Sequence, residues 1–172
     1  IGISLATKNG KACYVPLRHN PSHQSSLLTD GTSTIKQIPF DEAIALLKPM
    51  LEDPSILKIG HNIKYDALVV QQTKNGSIRI KSVDDTMCLS YVLEGGLHGH
   101  GLDELSELHF DHTNIKYKDV CGSGKSQISF AEVDVEKALD YAAEDADMTF
   151  RLHKKLKGTL ARNKMTTVYE TL

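Results

Sequence analysis

Tyr141 and Asp145 stand one helical turn apart in a segment whose apolar periodicity predicts a long helix over residues 134–162. Asp145 projects beside the apolar arc of this helix, away from the charged stripe on its surface. A carboxylate is costly to bury there unless another group satisfies it. Because the phenol of Tyr141 points into the same space, we expect the two side chains to interact. A structural pair has the same spacing, so spacing alone leaves a structural and a chemical role open.

Asp66 is the second carboxylate whose position suggests chemistry. It follows a short apolar run, residues 56–60, which predicts a buried strand. Asn62 is the predicted N-cap of the next helix, which is expected to reach about residue 74. Sites in open α/β sheets gather where strands lead into helices. An acidic residue also stabilises a helix N-terminus, so both roles remain open for Asp66.

Other polar motifs carry weaker signals. The run Gly122-Ser-Gly-Lys-Ser is not a P-loop, because Asp119 stands where that motif requires its first glycine. Four histidines lack the spacing of a zinc site and are expected in loops or facing solvent: His98, His100, His109 and His112. A charged stripe on the long helix is expected to be a solvated face: Asp140, Glu144, Asp147, Arg151 and Lys154.

Composition limits the class of protein. The 172 residues include 20 basic and 22 acidic side chains. The net charge of -2 therefore excludes a highly basic, histone-like protein that wraps DNA by electrostatic attraction. No apolar run approaches the ~20 residues of a membrane span, and the first residues lack the features of a signal peptide. The three cysteines are far apart in sequence, which favours a reducing compartment. We therefore expect a cytoplasmic protein with no membrane partner.

Alternating strand and helix patterns predict an α/β layered domain with a mixed sheet. The chain opens with a predicted hairpin, residues 1–6 and 12–17, around Asn9-Gly10. Residues 18–34 form a predicted loop. The remaining predictions are a helix from Phe40 that Pro49 kinks or ends, a strand at 78–83, a helix at 85–93, a short helix from Leu102, and a loop-like stretch at 114–130.

Two ordered motifs resemble those of a known family. Lys58-Ile-Gly-His-Asn-Ile-Lys-Tyr-Asp66 resembles the second motif of the 3'-5' proofreading exonuclease domain of bacterial DNA polymerase I. Tyr141-Ala-Ala-Glu-Asp-Ala-Asp-Met-Thr149 resembles its third motif. Supporting matches follow the same order: Asp85-Thr-Met, Gly101-Leu-Asp-Glu-Leu and the segment from Gly122 to Phe130. The resemblance covers nearly the whole chain.

The resemblance implies an α/β, RNase H-like three-layer exonuclease fold, in which helices flank a mixed central sheet. It implies hydrolysis of the 3'-terminal nucleotide of DNA by two divalent metal ions, Mg²⁺ or Mn²⁺. By the same resemblance, Asp66 and Asp145 are metal ligands, and Tyr141 orients the attacking water.

The resemblance also implies DNA-binding residues and partners. Asn62 and Tyr65 would line the site, and Tyr117 would pack against a terminal base. The expected partners are the 3' end of single-stranded DNA and the polymerase domain of the parent chain. The expected location is the bacterial cytoplasm, in association with the nucleoid.

One motif of the family is missing. Its first motif places an Asp and a Glu on a central strand just before the point at which this sequence begins with Ile1. We therefore expect an N-terminally truncated exonuclease domain at residues 1–164, with residues 165–172 beginning the connection to the polymerase domain. Two carboxylates alone should hold Mg²⁺ poorly, so the fragment is expected to bind little metal and to be weakly active or inactive.

Two alternatives remain open. One is a catalytically silent exonuclease-like scaffold or DNA-binding module of a polymerase. The other is a free-standing RNA exonuclease of the RNase D type, which shares the tyrosine-bearing third motif. The polymerase-like segments at 122–130 and 169–172 disfavour the RNA enzyme. An interaction domain without a nucleic-acid role is the least favoured interpretation.

Overall fold

Four strands and seven helices make up the part of the chain that the computed structural model describes, residues 2–20, 36–72 and 78–171. The strands are β1 (Gly2–Lys8), β2 (Lys11–Pro16), β3 (Lys58–Gly60) and β4 (Val83–Asp85). The helices are α1 (Phe40–Glu52), α2 (Ile63–Gln71), α3 (Thr86–Glu94), α4 (Leu102–Phe110), α5 (Tyr117–Cys121), α6 (Val135–Arg162) and α7 (Thr166–Glu170). Most of the predicted loop at 18–34 lies outside the described residues.

The predicted N-terminal hairpin is confirmed. β1 pairs antiparallel with β2, so that Gly2 faces Pro16 and Ala6 faces Ala12. Gly10 has a φ of 72°, which is the left-handed conformation that a tight turn at Asn9-Gly10 requires.

β3 and β4 form a parallel pair, in which Lys58 faces Val83 and Gly60 faces Asp85. The predicted strand at 78–83 is wrong, because the strand starts only at Val83. Ser82 has a φ of 52°, and this left-handed residue interrupts the extended chain before the strand. The backbone N–H of Lys81 donates a hydrogen bond to the carbonyl of Leu51, at the end of α1, and not to a neighbouring strand.

The strands form two separate ladders, one antiparallel and one parallel. No hydrogen-bonded strand joins these ladders within residues 2–20, 36–72 and 78–171. Both ladders pack against the same helix, α6. The α/β class is confirmed, and both strand orientations expected of a mixed sheet are present.

α6 is the central element of the packing. Asp134 caps its N-terminus by accepting a hydrogen bond from Glu136 N–H at 2.9 Å, as the predicted start of this helix requires. The C-terminal half of α6 contributes to a buried cluster with α3 and α4: Leu89, Leu105, Leu152, Leu156 and Leu160. Its N-terminal half packs on a smaller cluster: Cys121, Val133 and Ala138. α6 therefore contributes side chains to both buried clusters.

Two helix details differ from expectation. α1 continues through Pro49 to Glu52, so Pro49 does not end the helix, and a kink at Pro49 stays a prediction. Pro49 is exposed, and water can bond the backbone carbonyl that the missing N–H leaves free. The stretch at 114–130 is not wholly a loop, because it contains α5. None of the helices in the described part of the chain is long and apolar enough to cross a membrane.

Gly60 lies where β3 meets α2, and we expect Gly60→Ala to destabilise the fold by about 1–3 kcal/mol. A Cβ added at Gly60 would lie 2.7 Å from Cβ and 2.8 Å from Cγ1 of Ile63. Gly158→Ala is the matched control. It lies on the exposed surface of α6 and should raise stability by about 0.5–1 kcal/mol through helix propensity. Chemical denaturation measures both variants, and an unchanged midpoint for Gly60→Ala would contradict the packing.

Candidate active site

The predicted pair on α6 is in contact. The side chains of Tyr141 and Asp145 lie close enough that each shifts the pKa of the other. Burial raises the pKa of Asp145 from 3.8 to about 6, against the opposing effect of the hydrogen bond from Tyr141. Burial also raises the pKa of Tyr141 well above its usual value, and the negative charge of Asp145 adds to this. The phenol therefore keeps its proton at neutral pH and remains a potential hydrogen-bond donor to the carboxylate.

Asp103, near the start of α4, is a second acidic group close to this pair. Its charge contributes to the raised pKa of both Asp145 and Tyr141. Lys116 donates to Asp103 at 2.9 Å, and both side chains are substantially exposed. Acidic groups thus gather around Asp145, and one of them, Asp103, is paired with Lys116.

An aromatic cluster adjoins the pair. Tyr117 is stacked on Phe130, with ring centroids 6.2 Å apart and an angle of 16° between the planes. Tyr141 meets Tyr117 edge to face at 6.2 Å and also contacts Phe130 at 5.8 Å. Tyr117 is 46% exposed, which leaves part of its ring accessible to a flat ligand.

α2 carries the other three predicted site residues, and all three are exposed: Asn62, Tyr65 and Asp66. Asn62 occupies the N-cap position with a φ of 58°, but its side chain makes no capping hydrogen bond. The prediction that Asn62 caps the helix is therefore wrong, because a left-handed backbone turns its side chain away from the N–H groups of α2.

Asp66 lies in the first turn of α2. Desolvation by the surrounding protein raises the pKa of its carboxyl. The hydrogen bond from its own backbone N–H opposes the shift, and the like charge of Asp85 adds to it. Asp66 and Asp145 therefore both have raised pKa values, although Asp66 is exposed.

Asp85 replaces Asn62 as the group that holds the start of α2. It accepts hydrogen bonds from Asn62 N–H at 3.0 Å and from Ile63 N–H at 2.9 Å. It also caps α3 by accepting from Met87 N–H at 2.9 Å. One carboxylate therefore binds the N-termini of two helices.

One electrostatic effect links the two halves of the candidate site. The pKa of Tyr117 is raised first by its interaction with Cys121 and then by burial, with a smaller contribution from Tyr65 of α2. Tyr65 is therefore within electrostatic range of Tyr117, but no ring contact joins them among the described residues. No hydrogen bond or ion pair joins Asp66 to Asp145, and each has a different acidic neighbour, Asp85 or Asp103.

Carboxylate oxygens are the ligands that Mg²⁺ and Mn²⁺ prefer, so the chemistry of Asp66 and Asp145 fits these ions. The number of ligands does not fit. Across the described ranges, no group of three His, Cys, Asp or Glu side chains is placed to hold a metal ion. These residues therefore offer part of a ligand set and not a complete site.

The predicted solvated stripe on α6 is wrong at two positions. Glu144 accepts from Ile115 N–H at 2.7 Å and pairs with His112 at 2.8 Å. Asp147 accepts from Gly10 N–H at 2.6 Å and pairs with Arg151 at 2.7 Å. A pocket of about 330 Å³ opens beside Asp147 and Arg151 and is lined by none of the predicted site residues.

The prediction for the histidines also fails in part. His100 is buried and its Nδ1 lies 2.8 Å from the hydroxyl of Ser90. His109 has a side chain only 10% exposed, beside Glu94. Both rings fill space between α3 and α4, a packing that sequence spacing does not reveal.

Sequence reasoning did not assign Asp85 and Asp103 to the site. Both lie inside segments that match the family, at Asp85-Thr-Met and Gly101-Leu-Asp-Glu-Leu. Asp85 begins a helix predicted at 85–93, but its contact with Ile63 crosses 22 positions. That contact requires the tertiary fold.

The raised pKa of Asp145 predicts that Asp145→Asn stabilises the fold at high pH. The folded pKa of about 6 exceeds the ordinary 3.8, so folding favours the protonated carboxyl. Wild-type stability therefore falls as pH rises through this window. We expect Asp145→Asn to be more stable by about 1–3 kcal/mol at pH 8, and nearly equal below pH 3.8. Denaturation with a chelator present measures the difference, and an equal gain at both pH values would contradict it.

Comparison with known proteins gives a consistent family. A profile of the 3'-5' exonuclease family matches residues 1–161. The chain is 48% identical over 181 residues to DNA polymerase I of Rhizobium leguminosarum, and 38% identical over 157 residues to that of Pseudomonas aeruginosa. These alignments cover 100% and 91% of this chain, but only 17% and 16% of the two polymerases.

A solved structure described as the apo form of a nuclease has a similar fold. Its TM-score is 0.58 at 22% identity, over 81% of this chain and 60% of that one. At this identity the likeness concerns the fold alone. Together with the family profile, it confirms the RNase H-like fold class.

Proposed function

Because this chain belongs to the 3'-5' exonuclease family, we propose that it removes the 3'-terminal nucleotide of DNA for proofreading, as the exonuclease domain of a bacterial DNA polymerase I. The observation that carries this proposal is the neighbouring pair of Tyr141 and the partly buried Asp145 on α6, within the matched residues. A partly buried carboxylate with a raised pKa, next to a protonated phenol, is typical of a hydrolytic site.

The aromatic cluster supports binding of a DNA 3' end. Tyr117 presents part of its ring to solvent while Phe130 supports it from behind. Stacking of a base on such a ring contributes about 1–3 kcal/mol and tolerates any sequence. We propose that Tyr65, which acts electrostatically on Tyr117, also faces the bound 3' end. This arrangement suits a single-stranded end.

We infer that Asp66 and Asp145 are two of the carboxylates that hold divalent cations, Mg²⁺ or Mn²⁺, in the intact domain. Such ions, when bound, polarise water and stabilise negative charge on phosphoryl oxygens. This chain covers only 17% and 16% of the two polymerases it matches, and we propose that the remaining ligands lie outside these 172 residues. On this proposal the 172-residue chain alone binds the ions weakly and turns over slowly.

The hydroxyl of Tyr141 has a single proton, and we propose that it is directed at the carboxylate of Asp145. A water bound in the site can therefore donate a hydrogen bond to the phenol oxygen, which leaves a lone pair of the water directed elsewhere. We propose that Tyr141 orients the attacking water in this way. We also propose that Asn62 and Tyr65 line the site in which the terminal nucleotide would lie.

The remaining assignments are proposals of the same kind. We place the exonuclease domain at residues 1–164 and the start of the connection to a polymerase domain at 165–172. Tyr169 packs against the buried cluster of α3, α4 and α6, so this connection would begin from a fixed point. The polymerase domain and single-stranded DNA are the proposed partners. The similarity to bacterial polymerases supports a cytoplasmic location.

Hydrolysis of 3'-labelled single-stranded DNA with Mg²⁺ or Mn²⁺ tests the function. It compares this chain, a version extended upstream, and the extended version with Asp145→Ala. We expect release of labelled nucleotide only from the extended protein with Asp145 intact. An RNA strand of the same sequence is the substrate control, and preferential cleavage of RNA would favour an RNase D-like enzyme instead.

A catalytically silent scaffold is the second candidate, because the described residues present no complete ligand group. On that alternative, the extended protein folds and binds single-stranded DNA without cleaving it. Salt-dependent DNA binding without hydrolysis would then leave Asp66 and Asp145 as structural residues.

A further inference from the structure

The helix that carries Asp66 has little packing of its own. None of the nine residues of α2 is buried, although the helix contains several apolar side chains. Tyr65 is 65% exposed, and Leu68 and Val69 are each about half exposed. Apolar burial normally fixes a helix against its domain. The position of α2 must therefore depend on contacts at its ends.

The contacts at its N-terminus converge on one side chain. Oδ1 of Asp85 accepts from Asn62 N–H at 3.0 Å, and Oδ2 accepts from Ile63 N–H at 2.9 Å. Hydrogen bonds from backbone N–H groups to a carboxylate are stronger than neutral ones, and the charge also suits the helix dipole. Gly60 allows Ile63 to approach the end of β3 closely.

Asp85 is itself held from two sides. Its Oδ1 accepts from Met87 N–H at 2.9 Å, so the same carboxylate caps α3. Its backbone N–H donates to the hydroxyl of Tyr169, on α7, at 2.9 Å. That hydroxyl donates to Asp84 at 3.1 Å, and Asp84 is also bound by His153 of α6 at 2.6 Å. Asp85 therefore connects the start of α2 to α3, α6 and α7.

We propose that Asp85 is a positioning residue, which sets Asn62 and Asp66 in place relative to Asp145 by anchoring the start of α2. This inference rests on the proposed function. Asp85 acts through backbone groups and does not itself contact the DNA. Loss of the anchor would shift the carboxylate of Asp66 while the fold of α3 and α6 persists, and a 1 Å misplacement can reduce a rate by about 100-fold.

Two substitutions at Asp85 distinguish its hydrogen bonds to α2 from its N-cap on α3. In Asp85→Ser, a hydroxyl can still cap α3, because serine is a good N-cap, but the shorter side chain cannot reach α2. In Asp85→Asn, an NH₂ group replaces one of the two carboxylate oxygens. One backbone N–H of α2 then faces this NH₂ group, and the hydrogen bond between them is lost. Asp134→Ser is the matched control, because it makes the same change at the N-cap of α6.

The experiment uses the full-length parent protein and two readouts. Hydrogen exchange followed by mass spectrometry compares the peptides of α2 with those of α3. Steady-state hydrolysis of 3'-labelled single-stranded DNA gives kcat and KM. For Asp85→Ser we expect faster exchange in α2 alone and a kcat lower by about 100-fold, with KM within about threefold. Asp85→Asn should give an intermediate loss, and Asp134→Ser should alter neither.

Three results would overturn the inference. They are unchanged exchange in α2, equal acceleration in α2 and α3, and an unchanged kcat despite a loosened α2. The two readouts also separate this inference from the function beneath it. A wild-type protein that fails to hydrolyse DNA would refute the proposed function and the catalytic part of the inference. Selective loosening of α2 would still identify Asp85 as its anchor.

Discussion

Asp145→Asn in the full-length protein is expected to lower the rate of 3'-terminal hydrolysis by roughly 1,000-fold, the scale on which loss of one preorganised charge-stabilising group acts. The substitution keeps the shape of the side chain and the acceptor for Tyr141, but removes the charge that would hold a cation. The same change should stabilise the fold at pH 8, because a partly buried and poorly compensated charge is removed. Activity and stability should therefore change in opposite directions.

Asp140→Asn is the matched control for this experiment. Asp140 lies on the same helix, carries the same charge and is exposed. We expect its rate to remain within about twofold of wild type, since exposed charges on a helix contribute little. Single-turnover hydrolysis of 3'-labelled DNA measures both variants. Similar rates for Asp145→Asn and wild type would exclude Asp145 from the chemistry.

Asp84→Ala is expected to lower the free energy of unfolding by about 3 kcal/mol. The carboxylate of Asp84 is only 6% exposed and binds three groups: His153 at 2.6 Å, Lys157 at 3.1 Å and the hydroxyl of Tyr169 at 3.1 Å. Removing it leaves the histidine and the phenol without their partner inside the protein. Urea denaturation at pH 7 gives the difference from wild type.

Asp103→Asn is the control for this loss, because Asp103 forms an exposed ion pair with Lys116 at 2.9 Å. We expect it to cost less than about 1 kcal/mol.

Burial alone would raise the pKa of Asp84, but the hydrogen bonds from His153 and Lys157 outweigh burial and lower it. The stabilisation is therefore present above pH 3.8 and declines as pH falls below it. An effect of Asp84→Ala that persists unchanged at low pH would contradict the network.

Short-range spacing was sufficient to predict several features of this protein. The Asn9-Gly10 turn, the extent of α6 and the contact of Tyr141 with Asp145 all depend on residues a few positions apart. In each case the backbone geometry of one element determines which side chains are neighbours. The assignment of the family likewise depended on two motifs and their order.

Other features depended on contacts between distant elements. Asn62 was predicted to cap α2, whereas the cap comes from Asp85 on the next strand. Glu144 and Asp147 were predicted to face solvent, yet they bind the backbone of a loop and of the hairpin turn. The charge periodicity of a helix identifies a polar face, but it does not show which other segment fills that face.

The sequence by itself therefore determined the fold class, the family and the pair on α6, because these follow from local periodicity and from motifs. Only the tertiary structure decided how α2 is held and which acidic groups surround Asp66 and Asp145. The physical reason is that hydrogen bonds from Asp85 and electrostatic effects from Asp103 join positions far apart in the chain. Such contacts exist only once the strands and helices that carry these residues have packed together.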